Sequence, residues 1–359
     1  MLSIIYAHRN RDTARIKASF LSLSKQELKN FEVIFIDYGS EPCLVRELKE
    51  IIKDFNFVKL YPLQVSNLLW NKSKALNFGI LRSSSPYIFI ADVDLIFHPD
   101  TTKLFNKLAV EKKFFLFKLG YLGSAESQKL FGNYNFEDLK PYRYGEVNGM
   151  ILASKKAYVE VNGLDEFFHF YGSEDEDLFA RMENAGYKRE NDAASFFYHN
   201  WHQSFAGSEE KFITENPRVK NIMRINQRHY LIHKDKDITR PLRQTEMGMI
   251  ISKKQSDLLE KPTVKIRMYN IQAHVEHFLR EELPSYKDEI IKVEINEDPY
   301  FQTLKYKVKK LIGRQTQTYI SMKKINDMIL KEILFSYRNH NYSFKVNENL
   351  KTILFCIQL

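Results

Sequence analysis

Between residues 2 and 92 short apolar runs alternate with longer stretches of helical character, and few folds accommodate that pattern. Leu2–Ala7 (LSIIYA), Glu32–Asp37 (EVIFID), Phe57–Pro62 (FVKLYP) and Tyr87–Asp92 (YIFIAD) read as strands. Helices are expected from Asp12 to about Leu28, over CLVRELKEIIKDF, and over NKSKALNFGILRSS, which stops at Ser83-Ser84-Ser85-Pro86. A parallel strand pair needs a long crossover, usually a helix, so this alternation predicts an α/β domain with a mostly parallel sheet. Ligands of such sheets sit at the carboxyl ends of the strands. Those ends are Ala7-His8-Arg9, Asp37-Tyr38-Gly39 and Asp92-Val93-Asp94, each polar or charged after an apolar run.

The stretch YIFIADVDLIFHPD places two carboxylates, Asp92 and Asp94, at the exit of a strand. In extended backbone residues i and i+2 project to the same side, so both would converge beyond the sheet edge. Two close carboxylates repel unless one holds a proton or a hard divalent ion lies between them. The plainer account is a loop whose aspartates cap a turn. A second acidic group, Glu174-Asp175-Glu176-Asp177, opens the helical pattern that runs through Leu178, Phe179, Met182 and Ala185. Acids in a first helical turn are favoured by the helix dipole, but four exceed what a cap needs, and one or two could act as a general base. Third, His199 and His202 follow an aromatic run in FFYHNWHQS. Histidine beside carboxylates suits Mn²⁺ and other first-row ions better than Mg²⁺. On a strand i and i+3 face opposite ways, so one of the two is expected as a ligand; a packed structural histidine is the plainer account.

Charge divides the chain. Residues 1–200 hold 26 Lys+Arg and 26 Asp+Glu, whereas residues 201–359 hold 28 and 19 and so carry the whole +9. The two parts are expected to face different partners. The cluster KYKVKKLIGR (Lys305–Arg314) suits an anionic membrane surface; nucleic acid is not expected, because no binding motif accompanies the charge. The sequence reads as a domain over 1–235 and a basic α+β module over 236–359, with a helical segment past Trp201 and strands at TVKIRMYN, IIKVEIN, YSFKV and KTILFCIQ. Cys43 and Cys356 match no metal spacing and suit a reducing compartment. The N-terminus has too short an apolar stretch for a signal peptide, and no run reaches the roughly 20 residues of a spanning helix. A cytoplasmic protein, peripheral at the inner face of a membrane, is expected.

Taken in order, IIYAHRNR, WNKSKALNFGI, ADVDLI, the segment VNGMILASKKAYVEVNGLDEFFHFYGSEDEDLFARMENAGY and YHNWH resemble the inverting glycosyltransferases of the GT-A fold. Within them the chain is most similar to the family-2 and β-1,4-galactosyltransferase-like enzymes and to chondroitin-polymerase-type catalytic domains, over roughly Ser3 to His202. The resemblance implies a Rossmann-like sheet with flanking helices, and transfer of a hexose or N-acetylhexosamine from a UDP-sugar to a glycan or lipid-linked glycan. By likeness alone the donor is UDP-galactose or UDP-N-acetylgalactosamine, and the setting bacterial surface-polysaccharide synthesis. It implies Mn²⁺ (or Mg²⁺) on Asp94, with Asp92 at the same ion or the ribose, and His199, in preference to His202, as the further ligand. Asp37 would meet the uracil or ribose, Arg9 and Arg11 the nucleotide pocket, and Lys72 the diphosphate. Asp175 would be the catalytic base and Glu174 its neighbour toward the acceptor, beside Tyr171 and Gly172. Tyr171 and Ser173 stand where the galactosyltransferases carry Trp and a second Gly.

Two other classes compete. One is a non-catalytic nucleotide-sugar or carbohydrate-binding protein on the same scaffold; the joint presence of Asp92, Asp94, Glu174, Asp175 and His199 argues against it. The other is a retaining transferase or a nucleotidyltransferase. The first usually lacks a placed base, and the second needs a glycine-rich basic loop that AHRNRDT does not supply.

Overall fold

The computed structural model describes residues 1–132, 134–145, 149–192, 196–203 and 211–359. The chain divides into two compact units. One comprises Met1–Ser66, Trp70–Ser204 and Met223–Ile250; the other comprises Asn67–Leu69, Phe205–Ile222 and Ile251–Leu359.

The first unit has eleven strands among its described residues: β1 Leu2–His8, β2 Phe31–Tyr38, β3 Val58–Leu63, β4 Tyr87–Ala91, β5 Leu95–Phe97, β6 Lys113–Phe117, β7 Leu119–Tyr121, β8 Arg143–Gly145, β9 Ile151–Ser154, β10 Lys188–Asp192 and β11 Phe197–His199. Seven form one sheet in the order β10-β6-β9-β4-β1-β2-β3. Its pairs are parallel except where β9 lies antiparallel between β4 and β6. The expected α/β architecture is therefore the one found. Every residue of β2 is buried, as is nearly all of β1. That explains why these strands read as continuous apolar runs: a sheet covered on both faces leaves no polar face to alternate with. Phe89 of β4 packs on Phe105, Phe117 and Phe197 at ring-centroid distances of 4.5, 5.7 and 5.4 Å. Burying one such ring contributes on the order of 2–3 kcal/mol.

Register positions the site. Tyr6 lies opposite Ala91, and His8 opposite Asp37. The polar ends of β1, β2 and β4 therefore leave the sheet along one edge. A smaller sheet, β5-β11-β7-β8, continues from that edge. The stretch from Leu119 to Gly145 supplies two of its strands, β7 and β8. Gly120 belongs to this packing: a side-chain carbon there would stand 2.7 Å from the Tyr198 ring.

The second unit is built on four strands, β12 Val264–Tyr269, β13 Ile290–Asn296, β14 Tyr342–Val346 and β15 Thr352–Gln358, in the order β12-β13-β15-β14. Only β12 and β13 are parallel. Helix Met322–Glu332 presents Ile325, Ile329 and Leu330, all buried, at helical spacing. Among the described residues no helix is long and apolar enough to cross a membrane.

Candidate active site

Strand β4 ends at Ala91, and the chain turns at once: the Leu95 amide donates to the Asp92 carbonyl (3.2 Å). The two aspartates thus sit in a tight turn rather than in extended backbone, and their carboxylates take different partners. This departs from the extended-chain expectation, because β5 must double back to pair with β11. That antiparallel pairing sets Leu95 opposite His199, and the Asn200 amide donates to the Asp94 carbonyl (2.9 Å). His199 Nε2 consequently lies 3.6 Å from Asp94 Oδ2.

His202 reaches the same oxygen, with Nε2 at 3.3 Å. The opposite-faces argument for i and i+3 does not hold here because β11 stops at His199. The following loop carries His202 back and is fixed by the Trp201 amide donating to Ser127 Oγ (2.7 Å). A third group went unread in the sequence: Arg15, on helix Thr13–Ser24, sets Nη1 3.5 Å from Asp94 Oδ2. Burial works to raise the Asp94 carboxyl, but the hydrogen bond from His202, together with His199 and Arg15, holds it below its ordinary value. The same hydrogen bond raises His202 above its ordinary value. Asp94, His199 and His202 can each offer a ligand atom, all within 4.8 Å of one another. One carboxylate with two imidazoles suits a first-row divalent ion such as Mn²⁺.

Asp92 turns instead to Lys72, whose Nζ donates to Asp92 Oδ1 (2.8 Å) and lies 3.9 Å from Glu174 Oε1. Lys72 is the first residue of helix Lys72–Arg82. It is pinned by Asn71, which caps the helix through the Lys74 amide (2.8 Å) and donates to the Glu166 carbonyl (2.7 Å). Burial alone would lower the Lys72 ammonium; Asp92 and Glu174 overcome it and hold it above its ordinary value. Burial raises the Glu174 carboxyl; Lys72 opposes this and neighbouring Asp175 adds to it, so the net direction is upward.

Three of the four acids take distinct places. Asp177 is buried and structural: its carboxylate accepts from Arg181 Nε and from His233 Nδ1, both at 2.7 Å. His233 lies on helix Ile222–Asp235, as does His229, which bonds Asp165 (2.7 Å) and stacks on Phe167 with centroids 3.8 Å apart. Glu174 and Asp175 open outward. Both line a small void of about 10 Å³ with Lys72 and Gly149, and a cavity of about 460 Å³ with Tyr171, Gly172, Ser173, Met223, Arg224 and Gln227. The turn presenting them is left-handed at Phe170 (φ 64°), Gly172 (φ 103°) and Ser173 (φ 67°). Only glycine adopts such angles freely, and strain of this kind concentrates at functional sites.

Among the remaining expected residues, Tyr171 and Gly172 line the larger cavity. Asp37 lies just behind the sheet edge, 1% exposed, its carboxylate held by His8 Nδ1 (2.9 Å) and by the Ser40 hydroxyl and amide. Arg9 donates to the Ser66 carbonyl, and Arg11 gives its amide to His8 Nε2 (3.0 Å). Met223, Arg224 and Gln227 lie outside the motifs read in the sequence; only their place on the cavity reveals them.

Two family models match the chain. One, described as glycosyl transferase family 2, covers residues 3–124; the other, described as the N-terminal domain of galactosyltransferase, covers residues 135–203. Between them they span Asp92, Asp94, Lys72, the acidic helix start and both histidines. No curated protein matches the chain. Solved structures similar to it include S. aureus TarS, at 15% identity over 56% of this chain and 36% of that one (TM-score 0.42). TarS 1-349 from S. aureus in complex with UDP-GlcNAc is 14% identical over 66% and 70% (TM-score 0.45). The mannosyltransferase PcManGT from Pyrobaculum calidifontis, in complex with GDP-Man and Mn²⁺, is 15% identical over 68% and 65% (TM-score 0.42). The chain covers about a third of the full TarS structure's length.

Proposed function

We propose that the chain is a glycosyltransferase of the GT-A fold, a reading supported by the two family models over residues 3–124 and 135–203, and that it is a metal-dependent, inverting enzyme. It moves a hexose or N-acetylhexosamine, galactose or N-acetylgalactosamine by family likeness, from a UDP-sugar to a sugar hydroxyl of a glycan acceptor. The observation that carries this reading is the convergence of His199, His202 and Arg15 on one oxygen of Asp94, at the same turn from which Asp92 reaches Lys72.

Asp94, His199 and His202 would hold the ion; bound there, Mn²⁺ or Mg²⁺ supplies positive charge to a leaving diphosphate. Lys72 stands between Asp92 and Glu174 as the fixed cation for the same diphosphate. Arg9 and Arg11 line the nucleotide end, and Asp37 acts there through the His8 and Ser40 groups that it orients. The acceptor enters the cavity walled by Tyr171, Gly172 and Glu174. Its hydroxyl oxygen bonds to the anomeric carbon from the face opposite the diphosphate. The bond from that carbon to the diphosphate breaks, its electron pair leaves with UDP, and the hydroxyl proton passes to the Asp175 carboxylate. Attack from the opposite face inverts the anomeric centre. A role in bacterial surface-polysaccharide synthesis completes the proposal, with catalysis in residues 1–235.

The test is Asp175→Asn, with UDP release from a panel of UDP-sugars followed with Mn²⁺ and candidate acceptors. Transfer should fall by roughly 10²–10⁴-fold, the usual worth of a positioned base, while UDP and Mn²⁺ still bind. Unchanged turnover would remove Asp175 from its role.

A further inference from the structure

Helix Leu304–Leu311, in the second unit, is anchored by one side chain and shows its apolar side to solvent. The anchor is Tyr306, 3% exposed. Its ring packs against Tyr300, Phe301 and Tyr319 at 5.8, 5.7 and 5.1 Å, and its hydroxyl donates to the Gln317 carbonyl (3.3 Å). Leu304, Val308 and Leu311 recur at intervals of four and three, and so share one stripe. Ile312 caps the helix beside them. Their exposures are 79%, 52%, 87% and 57%. At about 100° per residue the stripe is centred roughly opposite Tyr306. Lys305 and Lys309 then flank it on one side, Lys307 and Lys310 on the other. Arg314 follows, and no acidic residue stands between Asp298 and Asp327.

An amphipathic helix of this design, with bulky apolar groups outward and lysines along both margins, lies in the interfacial plane of a bilayer. Its lysine stems can extend along the apolar stripe while the ammonium groups reach lipid phosphates. A second copy of the chain would meet the helix with the same uncompensated positive charge, so charge favours lipid over self-association. We propose that Leu304, Val308, Leu311 and Ile312 insert into an anionic lipid surface, with Lys305, Lys307, Lys309 and Lys310 on the headgroups. The inference is independent of the sugar-transfer reading, and its test uses no turnover.

The full chain is floated with phosphatidylcholine vesicles and with vesicles half phosphatidylglycerol, at low and high salt. Binding is expected to the anionic vesicles and to weaken with salt. Each lysine near an anionic surface is worth about fivefold in affinity, so replacing all four by Gln should lower binding by about a hundredfold or more. Leu304→Ser with Leu311→Ser should lower it by about tenfold or more per leucine. Because the replaced leucines are exposed, both variants should melt with the parent protein, which separates lost binding from lost fold. Equal binding to neutral and anionic vesicles, or anionic binding that survives both variants, overturns the proposal. So does a dimer in sedimentation that the leucine variant dissolves while vesicles leave the parent chain unbound.

Discussion

Replacing Lys72 by Met tests whether this ammonium is what keeps the acids of the site charged. Methionine keeps much of the aliphatic stem and deletes the cation that stands 2.8 Å from Asp92 and 3.9 Å from Glu174. At an effective dielectric of 20, opposite charges near 4 Å attract by about 4 kcal/mol. Lys72 is 23% exposed and Glu174 14%, so solvent screening reduces the Glu174 share to about 2 kcal/mol. The sign follows from Glu174. Its carboxyl is raised in the folded protein, so the native state holds that proton more tightly than the unfolded chain, and stability falls as pH rises through its titration. Without Lys72 the fall is steeper. At pH 5, toward the end of the range where a raised carboxyl gains its proton, the variant should lose less, about 1 kcal/mol from the Asp92 pair. At pH 8 the loss should be about 3 kcal/mol. Urea denaturation in EDTA at the two pH values measures this. Trp70 and Trp201 are the chain's two tryptophans and both belong to the unit that holds the site, so their fluorescence reports that unit alone. An equal loss at both pH values would refute the coupling. Sugar transfer should fall on the order of 10²-fold, the usual cost of losing one preorganised electrostatic partner.

Three further outcomes are expected. His199→Ala and His202→Ala should each weaken Mn²⁺ binding, read by calorimetry, by at least about tenfold; an effect confined to His199 would return the site to a single imidazole. Ser173→Gly relieves a left-handed serine whose side chain makes no cap hydrogen bond, and should stabilise the protein by about 0.5–1 kcal/mol, seen as a higher Tm. Glu32 accepts from Ser3, Ser84 and Lys59; burial alone would raise it, but these donors bring it down to about 2. Its contribution is present above the ordinary carboxylate range and lost as pH falls toward about 2, so Glu32→Gln should cost about 1–2 kcal/mol at pH 7, after allowance for the exposed Lys59, and nothing near pH 2.

Patterns local in sequence were legible; partnerships made by tertiary folding were not. The strand exits at Asp37 and Asp92 follow from apolar runs that end in charge, and the acidic helix start from its periodicity. Arg15 could not be found this way: it reads as one more charge on an amphipathic helix, and only the layering of that helix on the sheet brings it to Asp94. The opposite-faces rule does not reach His202, because the strand stops at His199 and the loop after it carries His202 back to Asp94. Asp177 could have been separated from its neighbours, since Arg181 stands four residues on, the spacing of a helical ion pair. The antiparallel strand β9 left no signal, because a four-residue buried strand reads alike in either direction.

Charge counting ties these residues to the proposed metal. Asp92, Asp94, Glu174 and Asp175 bring four negative charges when ionised; Lys72 and Arg15 bring two positive ones. A nucleoside diphosphate adds about two more negative charges, and like charges this close cannot all persist. The site has two ways to relieve them. Protonation is one, and Glu174, raised by burial and by Asp175, is the carboxyl best placed to accept it. A divalent cation at Asp94, His199 and His202 is the other. The two have opposite consequences for catalysis. In the proposed mechanism, a proton on Glu174 would lower the negative field around Asp175 and weaken it as a base, whereas a cation held at Asp94 would neutralise the diphosphate and leave the acid pair ionised. The separation of Asp94, facing histidines, from Asp92, facing Lys72, keeps these two functions on different sides of one turn.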